Sequence, residues 1–306
     1  MRSLAAAAMR SPWAARLYAA GFALMASVFP PFLLVSGAIG ALATLRHGAV
    51  PGLLVLLPAA VLSVWVKLTQ AMSLGPALTL PIYWAGVWCG AIVLRRTADQ
   101  GRAIGVNACA VACYAVAMRA THPDVVAYWR GQLDAVNAHL KAQGGTLFDE
   151  QQLAVFAGVM HESAIVMVMA LLAGTLLTAR WWQAALYNPG GFRGEFHALR
   201  LPRAVSPVAA LVAIAAMLQM ARGSYAGLAN DGVLLLVSMF AFQGLAVTHA
   251  RAYALRWRGA WLGVLYVLLA LATLLTGAVL AIVGIADMLA DFRKLGPPRG
   301  RQPGHE

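Results

Sequence analysis

The stretch LYNPGGFRGEFHALRLPR, residues 186–203, has the residue types and spacing best suited to chemistry. It combines a turn-forming Asn-Pro-Gly-Gly with cations, a carboxylate and an imidazole, between two long apolar runs. Two glycines before a helix leave backbone N–H groups unhindered, and a nearby arginine adds positive charge, which suits a phosphate or a lipid headgroup. The candidate residues of this docking or anion-binding loop are Asn188, Pro189, Gly190, Gly191, Phe192, Arg193, Glu195, Phe196, His197 and Arg200. The Lys-Ser/Thr pair of a nucleotide-binding phosphate loop does not follow the glycines, so nucleotide hydrolysis is not predicted.

The same stretch has a second interpretation, as a helix that lies on the membrane surface. Helical spacing places Phe192, Phe196 and Leu199 on one face and the arginines and the histidine on another. The phenylalanines would then anchor the helix in lipid while the cations meet anionic headgroups. Both interpretations stay open at this point.

Polar side chains inside the apolar runs form a second group of candidates, because burying them in a membrane is costly and marks a cavity or a partner. The candidate ligand-binding residues are Gln70, Thr79, Asn107, Gln243 and His249. Pro76 and Pro81 lie beside the first two, and two prolines five residues apart predict a broken helix. Irregular backbone at that depth is tolerated only where protein or water surrounds it. The sequence therefore predicts a small-molecule pocket near residues 76–84.

Asp287 and Asp291 are four residues apart at the end of the last apolar run, so a helix places both carboxylates on one face. Like charges at this spacing repel each other, so a compensating group is required. One hypothesis is a cation or proton site. The other is an ion-pair cluster with the arginines of residues 193–203, which would tie the C-terminus to the loop.

No set of side chains predicts an enzyme. His161 and Glu162 are adjacent, but position 165 is Ile, so the HExxH zinc motif is absent. No Ser/His/Asp or Cys/His set converges. We therefore expect no catalytic residue, no metal site and no cofactor.

The composition predicts the fold class. Hydrophobic residues make up 61% of the chain and charged residues 11%, against about a quarter charged in soluble domains. Apolar runs long enough to cross a hydrocarbon layer of about 30 Å recur throughout, which predicts an all-α membrane protein, a polytopic bundle of eight to ten transmembrane segments. The number of segments has a range because each of two runs forms either one kinked helix or a hairpin. The run 14–45 is interrupted by Pro30–Pro31. The run 259–287 has Thr273, Thr276 and Gly277 at its middle. The eight runs are 14–45, 50–66, 72–94, 103–119, 152–179, 205–221, 231–250 and 259–287.

The net charge of +12 reflects orientation in a membrane and does not predict nucleic-acid binding. The positive residues, nearly all arginine, lie in short loops beside apolar helices, and such loops face the cytoplasm. The segments 95–102, 180–203 and 251–258 are therefore predicted to be cytoplasmic, in a bacterial inner membrane with the lipid bilayer as the first partner. Residues after 287 would then be exported if the last run crosses the membrane once. A hairpin would return them to the cytoplasm.

The segment 120–150 is predicted to be an extracytoplasmic amphipathic insertion into a single transmembrane domain, residues 1–295. Apolar residues at spacings of three and four give it one stripe, formed by Val126, Trp129, Leu133, Val136 and Leu140. Gly144–Gly145 should end this helix, and Thr146 with Asp149 resembles a capping box that opens the next. The helix is either a lid over a substrate path or a brace. Residues 296–306 are predicted to be a disordered tail.

The segments WWQAALYNPGGFRGEFHALRL, FQGLAVTHA and GIADMLADFRK resemble the YybS-like family of uncharacterised bacterial membrane proteins. That family is distantly similar to the substrate-binding S subunits of energy-coupling-factor vitamin transporters and to the cell-shape protein MreD. The resemblance implies an S-subunit-like core, which binds a ligand between outer loops and docks on a membrane partner through small-xxx-small surfaces. Ala15, Ala19 and Ala23 have that spacing.

Two functional hypotheses follow. The first is a small-molecule-binding transporter, or an S-subunit-like component of one, with its site near residues 76–84 beneath the 121–150 cover. The second is a non-transporting scaffold that docks a partner through the cytoplasmic NPGGF loop.

Overall fold

The computed structural model describes residues 2–69, 74–142, 144–145 and 148–293. These residues form thirteen α-helices and no strand, so the predicted all-α fold is confirmed. The helices are α1 (Arg2–Ala8), α2 (Pro12–Met25), α3 (Phe32–His47), α4 (Ala49–Thr69), α5 (Leu74–Thr97), α6 (Gln100–Thr121), α7 (Val125–Ala142), α8 (Glu150–Tyr187), α9 (Gly191–His197), α10 (Val205–Ala221), α11 (Leu228–Ala254), α12 (Gly259–Leu271) and α13 (Thr273–Ala290). Gln70 and the predicted tail, 296–306, lie outside the described residues.

Six of the described helices are long and apolar enough to cross a membrane: α4, α5, α6, α8, α11 and α13. The helices α3, α10 and α12 are apolar but shorter. Together they account for the predicted multi-pass membrane bundle. The longest, α8, has 38 residues and packs against α3, α5, α6, α7 and α11.

The first apolar run forms two helices, α2 and α3, that turn back on each other around Pro30–Pro31. The Ser36 hydroxyl donates to the Ala19 carbonyl at 2.8 Å, and the rings of Phe22 and Phe32 lie 5.6 Å apart. Later residues of α2 thus meet earlier residues of α3, as in an antiparallel hairpin.

The small-xxx-small face of α2 is buried inside this chain. Ala15, Ala19 and Ala23 are 3%, 0% and 4% exposed, and α2 packs against α3 and α4. This face is therefore not a surface on which another protein can dock.

The predicted break near Pro76 and Pro81 is wrong, because α5 continues from Leu74 to Thr97. Pro76 falls in the first turn, where a backbone N–H has no helical partner in any case. Pro81 lies inside the helix and removes one hydrogen bond without ending it. The helix α4 accommodates Pro58 in the same way.

The last apolar run is a hairpin that reverses at Ala272, whose φ and ψ of −132° and 53° end α12. Trp257 and Leu262, around the start of α12, lie in one groove with Phe192 of α9. Arg293, beyond the end of α13, donates to the carbonyl of His197. The run therefore begins and ends beside α9, which returns the C-terminal residues to the side from which α12 starts.

The arginine-rich segments gather at this end of the bundle, which we call the α9 end. Arg95 donates to the carbonyls of Thr44 and Leu45 at the end of α3. Gly101, at the start of α6, lies directly against the backbone of Arg200. The segments 95–102, 180–203 and 251–258 thus meet at one end.

The opposite end, which we call the α7 end, is built from α7, the start of α8 and the start of α11. Arg130 of α7 binds Asp134 and Glu150. Arg119, near the end of α6, binds Asp231 of α11. Asp231 is a buried helical residue, 1% exposed.

The amphipathic helix predicted in 120–150 exists as α7 and packs on α8. Val126 and Val136 are exposed, whereas Val125 and Asn137 are buried. The Asn137 side chain donates to the Phe148 carbonyl at 3.1 Å and so turns this face toward the protein.

The boundaries of α7 and α8 differ from the prediction in one respect. The helix α7 ends at Gly144–Gly145 as expected, and Gly144 adopts a φ of +84°. The next helix is capped by Asp149 with Gln152, not by a box that starts at Thr146. Thr146 itself lies outside the described residues.

The helices α11 and α13 form the closest helix pair, because glycines let their backbones touch. A Cβ added at Gly244 would collide with the carbonyl oxygen of Leu280, and one at Gly284 with that of Phe240. Small residues that allow such approach are typical of helix pairs in membranes.

We predict that Gly244→Ala separates α11 from α13 and lowers stability by about 1–3 kcal/mol, the usual cost of overpacking. The measurement is thermal unfolding in detergent, followed by circular dichroism. Gly277→Ala on α13 is the control, because a Cβ there meets nothing within 4 Å and alanine favours the helix by about 1 kcal/mol. Equal melting of Gly244→Ala and the unmodified protein would contradict this packing.

Candidate functional site

The NPGGF stretch forms a tight turn and the short helix α9. Asn188 ends α8, and Gly190 adopts a φ of +90°, a conformation that favours glycine. The N–H of Gly191 donates to the Asn188 carbonyl at 3.0 Å. This N–H closes the turn, so it is not available to an anion.

Glu195 fixes α9 to the long helix α8. Arg180 donates to both Glu195 oxygens, each at 2.7 Å, in a bidentate ion pair. The rings of Phe192 and Phe196 stack 5.7 Å apart, and Phe196 presents its edge to His249 at 5.4 Å. The predicted apolar face of this segment therefore points toward α11.

A buried polar network holds the α9–α10 linker against α11 and α13. Arg293 donates to the carbonyls of His197 and Leu199 at 2.7 and 2.8 Å. Its guanidinium also binds Asp287, with Nη2 2.7 Å from Oδ2, and both side chains are almost completely buried. The position of α9 thus depends on the C-terminal end of α13.

Gln243 extends this network into α11. Its side chain donates to Asp287 at 3.0 Å and to the Gly284 carbonyl at 3.1 Å. Its oxygen accepts from the Leu201 N–H at 3.0 Å. All polar atoms of Gln243 are therefore used inside the protein, which makes it a structural residue.

The second carboxylate of the predicted pair, Asp291, binds Arg200 at the surface. Both aspartates thus have arginine partners, one buried and one exposed. Asp291 thus pairs with one of the arginines of residues 193–203, as the ion-pair hypothesis predicted, whereas the partner of Asp287 is Arg293.

A groove with a volume of about 670 Å³ lies beside α9, which we call the α9 groove. Its apolar wall consists of Trp181, Phe192, Phe196, Tyr253, Trp257 and Leu262, with Ala184, Ala185, Pro189, Gly190 and Ala252 between them. Its polar side chains are Arg2, Arg193, His197 and His249. None of the described residues that line it is a carboxylate.

The cations of the groove are set against aromatic rings. The guanidinium of Arg193 lies 5.1 Å from the centre of the Tyr253 ring. The Nδ1 of His249 contacts the Leu245 carbonyl at 2.9 Å and its Nε2 the Tyr266 hydroxyl at 3.1 Å. Since a carbonyl only accepts, Nδ1 is the donor and Nε2 the acceptor. Arg193, by contrast, is exposed and faces the groove.

Burial is the main cause that lowers the pKa of His197 below its usual value. The neighbouring His249 acts in the same direction, followed by the positive charges of Arg193 and Arg293. His197 therefore becomes cationic only at a pH lower than is usual for a histidine.

The other predicted ligand residues do not meet at one place. Asn107 is fully buried and lies against Gly90 of α5. Thr79 is exposed and precedes Gly90 by eleven residues, about 16 Å along the helix. With Gln70 outside the described residues, the structure does not bring Thr79 and Asn107 into a common pocket.

Several groove residues were not found from the sequence. Arg2 belongs to the N-terminal helix, Trp257 to the α11–α12 connection and Leu262 to the start of α12. Only tertiary contacts bring these residues together with α9. At the α7 end, Arg119 and Asp231 were also not predicted as partners. The sequence did carry a signal for both residues, because an ionisable residue inside an apolar helix indicates a buried partner or a functional site.

The chain matches no protein-family model, no curated protein and no solved structure in the comparisons that we made. The resemblance to the YybS-like family therefore stays a prediction. In the described part of the chain, no group of three or more His, Cys, Asp or Glu side chains is placed to hold a metal ion.

We predict that Arg293→Ala destabilises the protein by about 3–5 kcal/mol, because it leaves Asp287 buried without its charge partner. The measurement is thermal unfolding in detergent. The matched control is Arg200→Ala, which removes an exposed ion pair and should cost at most about 1 kcal/mol. Similar losses in the two variants would show that the buried network does not hold α9.

Proposed function

We propose that this multi-pass membrane protein binds an anionic amphiphile, a molecule with a phosphate-like head and an apolar tail, in the α9 groove. The observation that carries the proposal is the lining of the groove, which combines aromatic rings with two arginines and two histidines and has no carboxylate among its described residues. The volume, about 670 Å³, is within the range of about 300–1,000 Å³ typical of small-molecule sites.

The two halves of such a ligand fit the two chemistries of the groove. An apolar tail against Trp181, Phe192 and Leu262 would remove hydrocarbon from water, at about 25 cal/mol per Å². A phosphate beside Arg193 would gain a charge-assisted hydrogen bond worth about 1.5–3 kcal/mol. Arg2 adds a second cation from the N-terminal helix.

The location supports a ligand taken from the membrane interface. The α9 end holds the arginine-rich segments, and such segments face the cytoplasm. We therefore place the groove at the cytoplasmic surface of a bacterial inner membrane, where anionic lipids attract each arginine by about 1 kcal/mol. The groove contains Trp181 and Trp257, and tryptophan is enriched at the membrane–water interface.

The proposal develops the interpretation of residues 186–203 as a segment that binds a phosphate or a lipid headgroup, and the scaffold hypothesis stays a prediction. The transport hypothesis placed its site near Thr79 and Asn107, which lie apart. The S-subunit-like function stays a prediction from the resemblance to the YybS-like family.

We predict that Arg193→Ala weakens binding of phosphatidylglycerol by about tenfold or more, since it removes one of the two arginines that line the groove. Binding of the full chain in detergent is measured by native mass spectrometry, with phosphatidylcholine as the zwitterionic comparison. Arg203→Ala is the control, because Arg203 is an exposed arginine of the same segment that does not line the groove. The proposal fails if phosphatidylglycerol and phosphatidylcholine bind equally, or if the two variants behave alike.

We predict that the affinity for phosphatidylglycerol rises by about fivefold between roughly pH 7.5 and pH 5. The pKa of His197 is lowered, so this side chain is neutral at the upper pH and gains its charge only as the pH falls through that lowered value. The added charge attracts the phosphate, whose own charge is constant in this range.

The same titration in His197→Gln should be flat, whereas His139→Gln at the α7 end should keep the rise. A rise that persists in His197→Gln would assign the pH dependence to another group.

A further inference from the structure

The ring of Tyr253, on α11, contacts two side chains of α9. The guanidinium of Arg193 lies 5.1 Å from the ring centre, and the ring of His197 lies 5.6 Å from it, tilted by 51°. Arg193 and His197 are four residues apart, so the helix places them side by side. Tyr253 is therefore the point at which the two polar side chains that α9 contributes to the groove come together.

Tyr253 does not determine the position of the α9 backbone. Arg180 holds Glu195 through two hydrogen bonds of 2.7 Å, and Arg293 holds the carbonyl of His197 at 2.7 Å. Tyr253 itself is 62% exposed, so its replacement leaves no cavity in the core. Its contacts with α9 thus act on side chains that project into the groove.

The side chain of Arg193 keeps its hydrogen-bond donors available. Among the described residues, none of the carboxylates and carbonyl oxygens accepts a hydrogen bond from it, and its guanidinium lies against the Tyr253 ring. An exposed arginine without such a contact has many rotamers, and it loses that freedom when a ligand binds. The ring restricts the guanidinium beforehand, which lowers the cost of binding.

His197 supplies a second donor beside the first. It is half-buried, and Arg193 is close enough to act on it electrostatically. A neutral imidazole carries one N–H and an imidazolium carries two, so His197 can donate in both states. A phosphate has several acceptor oxygens and can therefore bind both side chains at once.

We propose that Tyr253 is a positioning residue that sets the preference of the α9 groove for an anionic head. The negative face of its ring attracts the guanidinium of Arg193 and holds it beside His197, so that one phosphate binds to both. The phenol hydroxyl takes no part. This inference rests on the proposed function of the groove, and it names the side chain that aligns the two donors of α9.

The test is the ratio of the affinities for phosphatidylglycerol and phosphatidylcholine, measured by native mass spectrometry of the full chain in detergent. We expect Tyr253→Leu to lower this ratio by about two- to fivefold, the usual strength of an exposed cation–π contact. Lost apolar contacts with the tail affect both lipids, so they cancel in the ratio. Tyr253→Phe keeps the ring and should keep the ratio.

Tyr187→Leu is the matched control. The guanidinium of Arg46 lies 4.4 Å from the centre of the Tyr187 ring, and Tyr187 is exposed but does not line the groove. This variant removes a similar contact at the same end of the bundle, so it should leave the ratio unchanged. Equal ratios in Tyr253→Leu and Tyr187→Leu would overturn the inference, and so would an equal loss in Tyr253→Phe and Tyr253→Leu.

The binding of the unmodified protein separates this inference from the function on which it rests. Equal affinities of the unmodified protein for the two lipids would reject the proposed function, and this inference with it. A preference for phosphatidylglycerol that persists unchanged in Tyr253→Leu would reject this inference alone.

The ring contact is also measured without a lipid, by nitrogen NMR of the full chain with ¹⁵N-labelled arginine. The Nε signal of Arg193 is the one that disappears in Arg193→Ala. We expect the signal of its attached hydrogen to shift in Tyr253→Leu, because the ring current of Tyr253 is lost, and to stay in place in Tyr253→Phe. An Arg193 signal that is identical in Tyr253→Leu and the unmodified protein would show that the ring does not hold the guanidinium.

Discussion

The position of the groove depends on one buried ion pair, Arg293 with Asp287. The pair itself is costly to bury, and it is stable because Gln243 and two backbone carbonyls satisfy the remaining polar atoms. Those carbonyls belong to the segment that follows α9. The last described residue of the chain therefore positions a helix a hundred residues earlier, and the tight α11–α13 contact positions that residue.

The hydrophobic pattern predicted the existence of the helices well, because a lipid environment requires apolar side chains over the whole length of a span. It did not predict which face of each helix meets protein. Apolar residues cover both the lipid-facing and the protein-facing sides of a membrane helix, so apolar spacing alone does not show which side is buried. Pro76 and Pro81 were read as a break because their position within the helical turns was not known.

The residues of the candidate site were predictable only in part. The turn at Asn188–Gly191 and the apolar face of Phe192 and Phe196 follow from local spacing. The contribution of Arg2 and Trp257 does not, because no local pattern links the two ends of the chain with α9. The burial of Asp231 is visible only once α6 and α8 are placed beside α11.

The α9 groove and the Arg119–Asp231 ion pair lie at opposite ends of shared helices. The helix α8 carries His161, which contacts Asp231, at one end and Trp181 at the other, and α11 carries Asp231 and His249. The groove is open and lined by aromatic and cationic side chains, whereas Asp231 is buried inside the bundle. The two ends of the bundle thus differ in chemistry.

The length of α8 sets how far the protein extends from the lipid. Thirty-eight residues span about 57 Å, and a tilt of about 40° still leaves roughly 44 Å along the membrane normal, against about 30 Å of hydrocarbon. With the groove at the membrane surface, as we propose, the excess belongs to the first turns of α8 and to α7 packed on them. We therefore expect these two helices to project into the aqueous phase, where a soluble antibody or protease can reach them in an intact membrane.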